Sequence, residues 1–226
     1  MATNYNPRIV TDGLVLALDV GNTKSYPGSG STWTDLSGNG NNGTLAGGVG
    51  YSSSNGGSFT FDGSNDYVYR TSTNFDFGTG DFTVSGWFYM ESSGSNNCVW
   101  DLRTDGPFSN NNNFLLRTTG NTNYELRFAN SSIRTFTASS NTWNNIVFSR
   151  IGSTLSTYVN GSLDGSNSNS SNSTNGETLR IGTFIDTTQN FNFDGRISNF
   201  MVYKGKGLTA AEIQQNFNAH RARYGI

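Results

Sequence analysis

The chain has 226 residues, 13% of them charged, and a formal net charge of −2. This balance offers no basic stripe for nucleic acid, and a lone Cys98 and a lone His220 exclude an intrachain disulfide, a Cys/His zinc site and a Cys–His thiol enzyme. Gly, Asn and Ser number 28, 31 and 29, a load that alone would suit disorder, but 4 Trp, 10 Tyr and 16 Phe demand a folded interior; aromatic strands joined by Gly/Asn/Ser turns account for both.

The length fits one all-β unit, so residues 1–226 are read as a single domain with a short N-terminal arm over residues 1–12. The opening "MATNYNPRIVTDG" lacks an apolar h-region, so no signal peptide is expected. The longest aliphatic run, Leu14–Leu18, is far short of a membrane span, and no membrane insertion is expected. Asn-x-Ser/Thr acceptors at Asn42, Asn130, Asn160, Asn169 and Asn172 read as a by-product of composition.

Along the chain, residues 13–20 ("GLVLALDV") predict the first strand. "DLSGNGNNGT" (residues 35–44) then carries Gly38, Gly40 and Gly43 at G-x-G-x-x-G spacing. A dinucleotide loop must follow a buried strand and open a helix. Here "TLAGGVGYSSSNGG" follows and cannot propagate one. Two readings remain: a structural turn, or a rim loop that binds a cation or a sugar.

Residues 58–70 ("SFTFDGSNDYVYR") alternate Phe59 and Phe61 with polar neighbours, turn, and alternate again at Tyr67 and Tyr69, which predicts a hairpin. Further strands are expected over Phe82–Met90, Cys98–Arg103, Asn113–Thr118, Tyr124–Ala129 and Asn144–Ile151. Asn160-Gly161 inside "STYVNGSLDG" is the strongest local hairpin signal, since both residues tolerate positive φ in a type I′ turn. Residues 165–177 read as a mobile loop. Leu179–Phe184 and Gly195–Tyr203 complete about ten strands with no intervening helices. That layout predicts an all-β, two-sheet antiparallel sandwich. The first strand is expected beside the last.

One helix is expected at the C-terminus, about 209–222. Thr209 and Glu212 form a capping box, and Leu208 and Ile213 a hydrophobic staple. Ile213 and Phe217 share a face, while His220, Arg221 and Arg223 fall where cations suit the helix dipole.

Catalytic signals are sparse. Glycosidases use two carboxylates about 5–9.5 Å apart, and the four glutamates (Glu91, Glu125, Glu177, Glu212) show no paired arrangement with a second acid. A Ser–His–Asp triad would have to use His220, and no nucleophile elbow is present. The chain is expected not to be an enzyme. Asp62, Ser64 and Asp66 offer oxygens at alternate positions, as a calcium loop does, but Tyr67 and Thr73 replace the glycine and glutamate an EF-hand needs. Asp62 can equally bond its own backbone in a turn. A rim calcium site would combine Asp35, Asn39, Asp62 and Asp66 if the two turns meet. Trp87 and Trp143 read as core. Trp33, between polar turns, reads either as rim packing or as a platform for a sugar ring.

Five stretches in this order, "DLSGNGNNGTL", "FTFDGSNDYV", "FTVSGWFYM", "WNNIVFSRIGSTLSTYVNGSL" and "FDGRISNFMVYKGKGLTAAEIQQNFNAHRARYGI", resemble the laminin-G/concanavalin-A-like domains of bacterial and phage proteins. The beginning, through "TWTDLSG", is similar to virion-associated proteins of tailed phages that infect marine cyanobacteria. The resemblance implies a jelly roll that binds glycans or proteins, with a rim calcium ion in some members. It further implies a non-enzymatic virion surface protein, a capsid decoration or fibre component, made in the host cytoplasm. Its partners would be other virion proteins and surface glycans, and it would be a homo-oligomer or lattice-bound. A carbohydrate-binding adhesin outside a virion is the alternative, and a glycan hydrolase the third reading.

Overall fold

The computed structural model describes residues 8–91, 97–103, 114–120, 122–128, 131–172, 178–185 and 190–226. Its strands begin with β1 (Leu14–Asp19), β2 (Thr32–Trp33), β3 (Gly43–Ala46), β4 (Gly50–Ser52), β5 (Ser58–Asp62), β6 (Tyr67–Thr71) and β7 (Phe82–Met90). There follow β8 (Cys98–Arg103), β9 (Phe114–Thr118), β10 (Asn123–Phe128), β11 (Ser131–Thr137), β12 (Trp143–Ile151), β13 (Thr154–Val159) and β14 (Ser162–Ser168). Then come β15 (Thr178–Ile181), β16 (Thr183–Ile185), β17 (Asn190–Asn192), β18 (Asp194–Lys204) and helix α1 (Ala210–His220).

Two antiparallel sheets form the sandwich. The first runs β14-β13-β12-β7-β18-β5-β4, and β1 also pairs with β18. The second runs β11-β10-β9-β8-β15-β6-β3-β2, and β16 and β17 form a separate hairpin. One edge of β18 pairs with β7; the other pairs first with β5, from Asp194 to Ile197, and then with β1, from Asn199 to Tyr203. The first strand therefore lies beside the last, as expected.

Strand alternation sets the layers. On β7, Phe82, Val84, Phe88 and Met90 face the second sheet and join one continuous core with Leu16, Phe59, Trp100, Phe114, Phe148 and Phe200. The opposite face of β7 presents Trp87, which packs with Trp143, Phe217 and Tyr224 under the C-terminal segment. Trp87 and Trp143 are thus buried, but outside the inter-sheet core. Trp87 stacks 4.0 Å from Tyr224 and 5.6 Å from Phe217.

The helix forms as its sequence dictates. Thr209 Oγ1 accepts from the Glu212 N–H at 3.3 Å, and the Thr209 N–H donates to Glu212 Oε2 at 2.8 Å. The staple residues Leu208 and Ile213 are both 1% exposed and share one cluster. A 3-10 turn over Arg221–Tyr224 ends the segment. His220 does not serve as a cation at the helix end: burial lowers its pKa, against the opposing pull of Asp19 and the Asn216 carbonyl. Of the arm expected over residues 1–12, residues 8–12 are described. The Val10 N–H donates to Asn216 Oδ1 at 2.8 Å and its carbonyl accepts from the Tyr203 hydroxyl at 2.9 Å, so they are pinned to α1 and β18.

Three local expectations are corrected. Residues 58–70 are not a hairpin: β5 belongs to the first sheet and β6 to the second, so Asp62–Asp66 crosses the sandwich between them. The stretch Leu179–Phe184 is broken at Gly182, whose φ is +93° and whose added Cβ would lie 2.5 Å from the Phe61 ring. The expected loop over 165–177 begins inside β14, which continues to Ser168 because Asn160 (φ 51°) and Gly161 (φ 78°) turn the chain and the pairing with β13 runs on to Ser168; residues 173–177 lie outside the described residues. β11 carries no clean alternation in sequence and was not expected.

Candidate functional site

The residues singled out by sequence fall in three places. Trp33 is fully buried, edge-on to Phe59 at 4.9 Å, so its ring is core and offers no platform to a sugar. Asp35 organises the glycine-rich loop. Its Oδ1 accepts from the Ala17 and Ser37 N–H groups, both at 2.9 Å, and its Oδ2 from the Ser37 hydroxyl at 2.7 Å and the Asn41 N–H at 3.0 Å. Asn39 Nδ2 donates to the Leu14 carbonyl at 3.2 Å. This loop is a structural turn tied to β1, and β3 rather than a helix follows it.

Asp62 Oδ1 accepts from the Ser64 N–H at 2.8 Å, and Asp66 Oδ2 from the Asp62 N–H at 3.1 Å. Burial, with Asp62 beside it, raises the Asp66 carboxyl above its usual range. The two turns do not meet. The Asp35 loop enters β3 at Gly43, whereas Gly47, just past its far end, abuts Asn65 and Asp66. Among the described residues, no three His, Cys, Asp or Glu side chains gather to hold a metal. Asp35, Asn39, Asp62 and Asp66 therefore do not fit a single calcium site, because strand β3 separates them.

A different surface concentrates chemistry: the outer face of the second sheet. Val68 of β6 points into the core, so its neighbours Tyr67 and Tyr69 point out, with ring centroids 5.9 Å apart. Tyr69 is 42% exposed. Across the sheet Tyr69 is in register with Thr44 on β3 and with Arg180 on β15, and Arg180 with Asp101 on β8. In the next row Thr71, Thr178 and Arg103 are aligned, and the Thr71 and Thr178 hydroxyls are 3.1 Å apart.

Further along this face the charges pair. Arg103 bonds Asp101 and lies 4.5 Å from the Phe184 ring centroid. Arg117 Nε donates to Glu125 Oε2 at 2.6 Å, and Arg127 Nη1 to Oε1 at 3.1 Å. Burial pushes the Glu125 pKa up, but hydrogen bonds from Arg117 and Ser132 and the charges of Arg117 and Arg127 outweigh it and hold the carboxyl below its usual range. Among the described residues, the face thus presents Tyr69, with Tyr67 half-buried beside it, and the exposed Thr44 and Thr71, while Asp101, Arg103, Arg180 and Thr178 of the same rows are buried. "YVYRT" carries the signal for Tyr67 and Tyr69, but its alternation fits either orientation until β6 is assigned to a sheet.

Among curated proteins none matches the chain in sequence. Solved structures match its fold. The binding domain of Paraclostridial Mosquitocidal Protein 1 superposes with a TM-score of 0.69 at 18% identity, over 92% of this chain and 52% of that one. A Trypanosoma rangeli sialidase mutant displaying trans-sialidase activity gives 0.74 at 14% identity, over 95% and 34%. The binding domain of botulinum neurotoxin DC, in complex with rat synaptotagmin II, gives 0.69 at 17% identity, over 93% and 52%. The chain therefore spans about half or a third of these structures, and the likeness is one of fold. Residues 61–214, more than half of the chain, match the laminin-G family profile described as the concanavalin A-like lectin/glucanase superfamily, and the chain belongs to that superfamily.

Proposed function

We propose that the protein is a non-catalytic glycan-binding module whose contact surface is the outer face of the second sheet, centred on Tyr69. The observation that carries this is the exposed Tyr69, its ring beside that of the half-buried Tyr67, flanked by the exposed Thr44 and Thr71. A sugar presents an apolar C–H face to an aromatic ring and hydroxyls to neighbouring donors and acceptors.

The carboxylates on this face support binding over hydrolysis. Asp101 and Glu125 are each engaged by arginine, and Glu125 is shifted down, opposite to what a general acid requires. They sit two strands apart, on β8 and β10. The resemblance to phage-branch domains supports placing the module on a virion surface, as a capsid decoration or fibre component among other virion proteins. An adhesin outside a virion would use the same face.

A glycan array probed with the parent and with Tyr69→Ala tests the reading. Binding to a glycan by the parent, weakened about tenfold or more in the variant with its melting temperature unchanged, is the expected result. No glycan binding, or binding indifferent to Tyr69, rejects this face. Sustained release of reducing sugar, abolished by one Asp or Glu substitution, rejects the non-catalytic reading. Mass spectrometry of purified particles separates a virion protein from a free adhesin.

A further inference from the structure

Of the four edges of the two large sheets, two are too short to template another chain: β2 has two residues and β4 three. The other two, β11 and β14, have seven residues each and meet on one flank of the sandwich, where Arg134 bonds Asp164. A long edge presents unpaired N–H and C=O groups, and proteins guard such edges with lysine, proline, bulges or inward-pointing charges. The strands "SSIRTFT" (β11) and "SLDGSNS" (β14) contain neither lysine nor proline. Their only charged residues are Arg134 and Asp164, the two that bond each other.

Arg134 is in register with the core residue Leu126, so it points inward from β11. Its Nε donates to Asp164 Oδ2 at 2.8 Å, and its Nη2 donates to the same oxygen at 2.5 Å and to the Asp164 carbonyl at 2.9 Å. That carbonyl belongs to a bulge. Thr157 of β13 is opposite Gly165 and Tyr158 is opposite Leu163, which leaves Asp164 with no opposite residue on β13. Gly165, next to it, takes the flat of the guanidinium: a Cβ there would lie 2.3 Å from Arg134 Nη2 and 2.5 Å from its Cζ and Nη1. The φ of Gly165 is not positive, so the glycine supplies room rather than backbone freedom. Both charged side chains keep contact with solvent, 23% exposed for Arg134 and 28% for Asp164, so the pair can part without unpacking the core.

We propose that the Arg134–Asp164 clasp guards an interaction edge whose partner is a second copy of this chain. With the guanidinium lying on Gly165, β14 takes up no further strand. With the guanidinium gone, β14 pairs antiparallel with β14 of another molecule about a two-fold axis. An axis at Gly165 sets Ser162 against Ser168, Leu163 against Asn167 and Asp164 against Ser166, so no like charges meet. The reactive edge is β14 because it carries Leu163, which is 58% exposed and gains cover in the pair. This edge is independent of the Tyr69 face.

Sedimentation velocity over a concentration series of the full chain, with thermal melts alongside, tests this. Arg134→Ala removes the guard, and Gly165→Ala displaces the guanidinium while keeping its charge. Each variant is expected to self-associate about tenfold or more tighter than the parent while still melting cooperatively. Adding Gly165→Lys to Arg134→Ala sets two lysines against each other on the axis and is expected to return association to the parent's level. Association of both single variants no tighter than the parent's, or association that survives the added lysine, overturns the proposal. Loss of folding in both single variants overturns it as well, since the clasp would then hold the sandwich together rather than guard its edge.

Discussion

Arg223 and Asp19 lie 204 residues apart in sequence and form a two-point ion pair, Nη1 to Oδ1 and Nη2 to Oδ2, each at 2.7 Å. The pair fastens the C-terminal turn to β1. Arg223→Ala leaves the Asp19 carboxylate, whose side chain is 16% exposed, without its cation. A loss of about 1–3 kcal/mol is expected, read from the denaturant midpoint. Deleting Ile9–Val20 removes β1 altogether and is expected to abolish the cooperative transition of the whole domain.

Phe217 and Thr209 separate docking from capping. Phe217 is 5% exposed and stacks on Trp87, so Phe217→Ala is expected to cost about 3–5 kcal/mol. Thr209→Ala removes one cap oxygen and is expected to cost about 0.5–2 kcal/mol. Chemical denaturation of the two variants checks the order.

Trp33 and Tyr69 are expected to part company in the same way. Trp33→Ala hollows the core beside Phe59 and should destabilise by about 3–5 kcal/mol. Tyr69→Ala touches an open ring and is expected to leave the melting temperature unchanged while weakening glycan binding. Parallel thermal scans and array measurements distinguish them.

His220 makes stability depend on pH. The fold lowers the His220 pKa from its ordinary 6.5, chiefly by burial. Between 6.5 and the folded value the unfolded chain binds a proton that the native state does not, so stability falls as the pH drops through that window and levels off below it. Glu125 and Glu212, also shifted down, add losses below 4.5, while Asp66, shifted up, opposes them. Melting temperatures from pH 7.5 to 5 are expected to decline in the parent and to flatten in His220→Gln.

Cys98 is fully buried, and its thiol is pushed well above its ordinary range, first by burial and then by Asp101. It is expected to resist alkylation in the native protein and to react on unfolding. Mass spectrometry after iodoacetamide treatment, with and without denaturant, reads this directly.

Phe82–Met90 and Cys98–Arg103 were legible to the residue because their patterns are long and strongly apolar. The capping box at Thr209 was legible because its chemistry is local. What escaped depended on which sheet a strand joins. The run from Phe59 to Tyr69 reads alike as a hairpin and as a crossing between sheets, since alternation fixes faces but not partners. The same ambiguity hid Tyr69 on an outer face and made Trp33 look like the aromatic at the rim. The division of Asp35 and Asn39 from Asp62 and Asp66 is set by the length of β3, which only the pairing of β3 with β6 reveals.

The shared edge of β18 has a kinetic meaning. β1 precedes every other described strand in the chain, yet among the described strands it pairs with β18 alone, Leu14 against Tyr203 and Asp19 against Asn199. The edge of β1 that meets β18 has no native partner until β18 has been synthesised, whereas the Asp35 loop, made soon after β1, bonds the Ala17 N–H and the Leu14 carbonyl. Contacts of such long loop closure form slowly, typically in milliseconds to seconds. Folding is therefore a late event, completed as β18 takes up β5, β7 and β1 together, and during synthesis the β18-facing edge of β1 stays open to chaperones or to a neighbouring nascent chain.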